Sequence, residues 1–146
     1  FAEANVNINQ PALLIASSAA HETAHYLGVA REDEANFVSY LACTYSLDAS
    51  VRYSGTMLAL INCANQLYAS DAELYRRLVS EYYSEGMLRD LRDYNAYWDS
   101  FEGPIEEAVD NMNDNYLKFN KQENGVKSYG MMVDLLLAYY AKGSAQ

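Results

Sequence analysis

Apolar side chains recur along nearly the whole chain at the spacing of an α-helix, and this pattern constrains the fold more than any other feature. Start and stop signals divide it into segments: Pro11 suits a first helical turn, Gly28 a helix end, and Ser84 the start of a later helix. Only residues 4–9, ANVNIN, alternate at the two-residue period of a strand. The sequence therefore predicts an all-α fold of about seven helices, with a short extended N-terminal segment.

The predicted helices are joined by loops of the short length expected in helical domains. They cover residues 11–27, 32–47, 51–69, 71–83, 85–101, 105–121 and 129–142. Ser70 is predicted to cap the fourth. Apolar residues of the third and last helices are assigned to the core, namely Leu58, Ile61, Leu67, Leu135, Leu136, Tyr139 and Tyr140.

Length and composition set the class of protein. A chain of 146 residues with 51% hydrophobic and 21% charged residues suits one globular domain, residues 1–146. The formal charge of −10 repels phosphate backbones and argues against a nucleic-acid partner. No stretch is long and apolar enough to span a membrane. The chain opens on Phe1 rather than Met, so we expect a fragment of a longer protein.

The two cysteines are predicted to be free, buried thiols. If the second and third helices form an antiparallel hairpin about residue 49 or 50, Cys43 lies level with about Thr56 rather than with Cys63. The offset of about seven residues is roughly 10 Å of helical rise, beyond the range of a disulfide.

Both histidines of the chain lie in the sequence HETAH at residues 21–25. Positions i and i+4 share one face of a helix, so His21 and His25 can direct ring nitrogens at a single ion. Glu22 can reach a water molecule bound to that ion and serve as general base. The pattern predicts a zinc site on a zincin-like helix; the alternative is a solvated helix with two surface histidines.

A catalytic zinc ion needs a third protein ligand, and the next residues offer several candidates. The pattern HExxHxxGxxH would place that ligand at Arg31, whose positive charge excludes it. Glu32 follows directly, and Glu34 is the reserve ligand. Asp33 is expected to face solvent.

Asn36 lies one helical turn beyond Glu32. Its side-chain oxygen can accept the free N–H of a ligating histidine and so fix the orientation of the ring. Other roles stay open: residues 4–9 as an edge for substrate, Tyr116 or Tyr129 as oxyanion donor, and Arg52 or Lys118 as a partner for a substrate carboxylate.

The chain resembles the zinc metallopeptidases called gluzincins, which combine HExxH with a downstream glutamate. It resembles more closely a bacterial domain-of-unknown-function family (number three-eight-one-zero), whose members carry only a metallopeptidase description. The stretches that carry this resemblance span nearly the whole chain: EANVN at 3–7, HETAH at 21–25, REDEANF at 31–37, RYSG at 52–55, NAYW at 95–98, FEGP at 101–104, NDNYLK at 113–118, GVKSYG at 125–130 and VDLLLAYY at 133–140.

The resemblance implies that His21, His25 and a glutamate bind Zn2+, with Glu22 as base, and its alignment selects Glu32. Gluzincins commonly have aspartate where this chain has Asn36, and their gap between histidine and glutamate is longer; both departures bear on rate more than on metal binding. Family members also carry hydrophobic helices N-terminal to this domain, which implies a membrane-anchored parent with the domain in water, on the extracytoplasmic side.

We therefore expect a zinc metallopeptidase that hydrolyses peptide bonds of a peptide or protein substrate with a metal-bound water, Glu22 acting as general base. The alternative is a non-catalytic helical interaction domain with a structural or vestigial metal site. The two hypotheses differ at the fourth zinc position, which is open to substrate in the first and filled by protein in the second.

Overall fold

Six helices make up the described structure. A computed structural model of the chain describes residues 3–100 and 126–143, the latter by backbone alone up to residue 129. The helices are α1 (Ala12–Tyr26), α2 (Glu32–Thr44), α3 (Ala49–Ser70), α4 (Ala72–Tyr82), α5 (Glu85–Asp99) and α6 (Val126–Gly143). The all-α prediction is confirmed, and no strand occurs within the described ranges. The predicted helix at 105–121 lies outside them.

Helix α3 lies at the centre of the described fold and contributes side chains to both apolar clusters. One cluster joins α1, α3 and α5 through Leu13, Leu14, Met57, Ile61 and Tyr94. The other joins α2, α3 and α6 through Tyr40, Leu58, Ala59, Met132 and Leu136. Among the residues assigned to the core, Leu58, Ile61 and Leu136 are buried and Leu67 and Leu135 half-buried. The assignment of Tyr139 and Tyr140 is wrong: they are 38% and 56% exposed, with hydroxyls that meet those of Tyr45 and Tyr40.

Helices α1 and α2 run antiparallel and approach each other through small side chains. Ser39 bonds to Ser17, and Asn36 bonds to His21 one turn further along α1. Ala24 and Ala35 are almost fully buried, at 1% and 0% exposure. This close approach brings side chains from the C-terminal half of α1 and the N-terminal half of α2 within bonding distance.

Local signals account for most helix ends. Ser84 caps α5 by accepting a bond from the amide of Met87, as predicted. Asp48 caps α3 by accepting from the amides of Ser50 and Val51. The predicted cap of α4 is wrong by one residue, because the carboxylate of Asp71 rather than Ser70 accepts the amide of Leu74.

The two thiols are free, as predicted. Cys43 packs against Gly55, one residue from the position that the hairpin geometry predicted. Cys43 is buried but Cys63 is only half-buried, so the prediction of two buried thiols holds for one of them. Burial raises the pKa of both thiols.

Candidate metal centre

The two histidines lie on the last turns of α1, on the side that faces α2. The side chain of His21 is 16% exposed and that of His25 is 27% exposed, so both rings are largely enclosed. After α1 the chain turns at Gly28, whose φ of 99° lies in the left-handed region that favours glycine. The turn returns the chain so that α2 begins at Glu32, directly beside the two rings.

Three potential ligand atoms converge between α1 and α2. The Nε2 atoms of His21 and His25 lie 3.0 Å apart. The carboxylate of Glu32 places one oxygen 3.1 Å from His21 Nε2 and the other 3.4 Å from His25 Nε2. Within the described chain, this is the one group of three or more histidine, cysteine or acidic residues close enough to hold a metal ion.

The hydrogen bonds on the far sides of the rings determine which nitrogen carries the proton. His25 Nδ1 lies 2.7 Å from the backbone carbonyl oxygen of Val29, which can only accept, so this Nδ1 donates. His21 Nδ1 lies 2.8 Å from Oδ1 of Asn36, an acceptor of the same kind. In their neutral forms both rings therefore present an unprotonated Nε2 to the shared space.

The surroundings of His21 favour its neutral form. Burial is the largest influence on His21 and lowers its pKa, against the raising effect of the Glu32 carboxylate. Neutral imidazole is the form that binds metals. The lowered pKa of His21 therefore favours the form of this ring that a metal ligand requires.

Glu22 follows His21 on α1 and is half-buried. It forms no hydrogen bond or ion pair with the part of the chain that the structure describes, yet it is near enough for its charge to raise the pKa of His21. The carboxylate is thus close to the ligand cluster but not part of it.

The acidic residues after Glu32 turn away from the histidines. Glu34, the reserve ligand, is exposed and pairs with Arg31 at 3.6 Å. Asp33 was expected to face solvent, and this is wrong: it is 7% exposed, with an oxygen 3.1 Å from the guanidinium of Arg31. The ion pair to Arg31 compensates the burial of the Asp33 carboxylate. Of the two glutamates considered from the sequence, the structure brings only Glu32 to the histidines.

Several other candidates lie elsewhere or outside the described residues. Arg52 donates to the carbonyls of Ser46 and Leu47, at the opposite end of α2 from Glu32. Because α2 alone rises ~18 Å, the structure places Arg52 at a distance from the histidines. Residues 4–9 form no strand, and Asn7 donates to the hydroxyl of Tyr97 of α5. Tyr116 and Lys118 and the side chain of Tyr129 are outside the described residues.

Two contributors to this site were missed from the sequence. The carbonyl of Val29 orients His25, but backbone acceptors leave no signal in residue type beyond the glycine turn that positions them. The buried serines Ser17, Ser39 and Ser54 connect the helices beneath the ligands. In the sequence, these residues could have been recognised as serines on helix faces that are otherwise apolar.

Comparison with family models finds a match that covers nearly the whole chain. A model described as Protein of unknown function (DUF3810) matches residues 1–137. The chain belongs to this family. No match was found among curated proteins or among solved structures. Membership of DUF3810 therefore agrees with the resemblance to a domain-of-unknown-function family seen in the sequence.

The helices of the described ranges include none with the length and apolar character needed to cross a membrane.

Proposed function

We propose that this DUF3810 domain is a zinc-dependent metallopeptidase in which His21, His25 and Glu32 bind the metal and Glu22 is the general base. The observation that carries the proposal is the convergence of two ring nitrogens and a carboxylate on one space between α1 and α2. Three electron-rich atoms at this spacing repel one another unless a cation lies among them.

The donor set fits zinc in chemistry and in spacing. Two nitrogens and one carboxylate oxygen form one of the ligand sets found in catalytic zinc sites. Ligand atoms about 2.0–2.2 Å from a tetrahedral zinc ion are roughly 3.3–3.5 Å from each other. The distance of 3.0 Å between the two Nε2 atoms is within a few tenths of an ångström of that value, and the two oxygens of Glu32 lie 3.1 Å and 3.4 Å from one nitrogen each.

The proximity of Glu22 to the ligands supports its role as the general base of the proposed reaction. A zinc ion held there would supply a Lewis acid that acidifies water and polarises a carbonyl group. Glu22 accepts a proton from the water molecule that attacks the carbonyl carbon of a peptide bond. It then delivers the proton to the amine nitrogen as the C–N bond breaks, which yields a carboxylate and an amine.

Metal content tests the first half of the proposal. Protein purified without added metal should contain about one zinc ion per chain by elemental analysis, and Glu32→Gln should lose it. Glu34→Gln is the matched control, since Glu34 is on the same helix but pairs with Arg31. Equal zinc content in wild type, Glu32→Gln and Glu34→Gln would exclude this ligand set.

Hydrolysis of a peptide library tests the second half. Glu22→Gln should retain zinc and lose at least about a hundredfold in kcat, the lower range for a general base. A Glu22→Gln variant that hydrolyses as fast as wild type would refute the base assignment. X-ray absorption reports the number and type of ligands around the zinc ion. It therefore distinguishes the proposed enzyme from a non-catalytic interaction domain, whose structural site requires a fourth protein ligand.

We also propose a location and a substrate class for the domain. The resemblance implies a membrane-anchored parent that presents this domain on the extracytoplasmic side. A peptide or protein segment is the proposed substrate, and the net charge of −10 argues against nucleic acid.

A further inference from the structure

Three buried serines join α1, α2 and α3 in one hydrogen-bonded group. Ser17, Ser39 and Ser54 are 1%, 0% and 2% exposed. Ser39 Oγ donates to the backbone carbonyl of Ser17 at 2.6 Å. Ser54 Oγ accepts the backbone N–H of Ser17 at 3.0 Å and donates to Ser17 Oγ at 3.1 Å. The side chain of Ser17 in turn donates to the carbonyl of Leu14.

The serine group lies directly beneath the proposed ligands. In a regular α-helix the carbonyl of Ser17 is the acceptor for the amide of His21, one turn later. Ser39 is three residues after Asn36 and seven after Glu32, on the same face of α2. The bond from Ser39 to Ser17 therefore links the two helices that carry the ligands, one turn from the bond between Asn36 and His21.

The small size of these residues sets how closely α1 and α2 approach. Ala24 and Ala35 are buried on the same interface, so no large side chain holds the helices apart. An apolar contact between small residues tolerates sliding and rotation, whereas a hydrogen bond has a narrow range of distance and angle. A bond from the hydroxyl of Ser39 to a backbone atom of α1 fixes the position of α2 along α1.

We infer that Ser39 is a positioning residue that sets the spacing between the His21–His25 pair and Glu32. The inference rests on the proposed function, because it assigns the serine bond a role in metal binding. It distinguishes Ser39 from Ser54, whose bonds connect α3 to α1 and leave the contact between the two ligand-bearing helices intact.

The test compares zinc affinity with stability in matched variants. Ser39→Ala should raise the zinc dissociation constant at least about tenfold, the lower end of the range for groups that orient ligands. It should also shift the visible absorption of the cobalt-substituted protein, which reports the geometry of the ligands. Ser54→Ala should change affinity by less than about threefold. Thr44→Val, which removes a hydroxyl bonded within α2 itself, should leave affinity and spectrum unchanged.

Stability is measured on the metal-free chains, so that loss of folding is separated from loss of geometry. If Ser39→Ala does not fold, Ser39→Cys keeps a similar shape with a much weaker donor and takes its place. A Ser39 variant that is destabilised but binds zinc as tightly as wild type, with the same cobalt spectrum, overturns the positioning role. A wild-type chain that binds no zinc overturns the proposed function, and with it this inference.

Discussion

His25 Nδ1 lies 2.7 Å from the carbonyl oxygen of Val29, a residue in the turn that leads from α1 towards α2. One of the two histidine orientations is therefore set by the backbone of a turn, and the other by a side chain, Asn36, at 2.8 Å. Different substitutions affect these two hydrogen bonds, so experiments can test each one by itself.

Replacement of Asn36 should weaken metal binding without removing a ligand. Asn36→Ala deletes the acceptor of the His21 Nδ1–H and should reduce zinc affinity about 10–100-fold. Asn36→Asp should increase affinity over wild type, because a carboxylate acceptor makes the imidazole a stronger ligand. Competition with a chelating dye measures both, and Asn95→Ala on the exposed surface of α5 is the control. Wild-type affinity in Asn36→Ala would exclude an orienting role.

The turn at Gly28 should be intolerant of a side chain for conformational reasons alone. A Cβ there meets nothing within 4 Å, but the φ of 99° is costly for other residues. Gly28→Ala should therefore destabilise the fold by about 1 kcal/mol and lower zinc affinity through Val29. Gly86→Ala in α5, where the nearest atoms to a Cβ are 3.8 Å away, should be neutral or stabilise by up to about 1 kcal/mol. Urea denaturation measures both; equal effects would contradict the conformational argument.

Gly55 should be the most sensitive glycine in the described structure for a steric reason. A Cβ there would overlap the Cβ of Cys43 and lie 3.3 Å from the carbonyl oxygen of Tyr40. Gly55→Ala should destabilise by about 2–3 kcal/mol, because the α2–α3 contact must open.

Double variants identify the atom responsible. Cys43→Ala keeps its Cβ and should not rescue Gly55→Ala, whereas Cys43→Gly should recover part of the stability. Rescue by Cys43→Ala would point instead to the thiol. The midpoints of thermal unfolding give the comparison.

Stability should decline above pH 10 through Tyr53, whose hydroxyl donates to Asp90 of α5 at 2.6 Å. Burial and this bond raise the pKa of Tyr53 to about 12. The unfolded chain loses the proton near pH 10 and the folded chain only near 12, so the stabilisation is present below pH 10 and lost between these values.

Tyr53→Phe isolates this contribution from the other tyrosines. The variant should be less stable by about 0.5–1 kcal/mol at pH 8, and the difference from wild type should shrink towards pH 12. Urea denaturation at a series of pH values tests this. A constant difference across that range would show that the hydrogen bond does not govern the titration.

The helical periodicity determined the fold class, because apolar spacing and capping residues act over a few neighbouring positions. Ser84 and the turn after α1 at Gly28 were predicted for this reason. The level of Cys43 also followed to within one residue, Thr56 being predicted and Gly55 observed, since a short hairpin fixes the register of two helices. Local competition decided one exception, in which Asp71 displaced Ser70 as a cap. The other is tertiary: Tyr139 and Tyr140 are exposed, with their hydroxyls beside those of Tyr45 and Tyr40.

The HExxH spacing by itself determined that two histidines share a helix face, and the charge of Arg31 excluded that residue as a ligand. The choice between Glu32 and Glu34, which the family resemblance had also made, came from the tertiary structure: the turn sets where α2 begins, and so which carboxylate meets the rings. The burial of Asp33, the carbonyl of Val29 and the serine link were likewise decided by tertiary structure. Each depends on the distance and rotation between two helices, and no periodicity within one helix specifies those quantities.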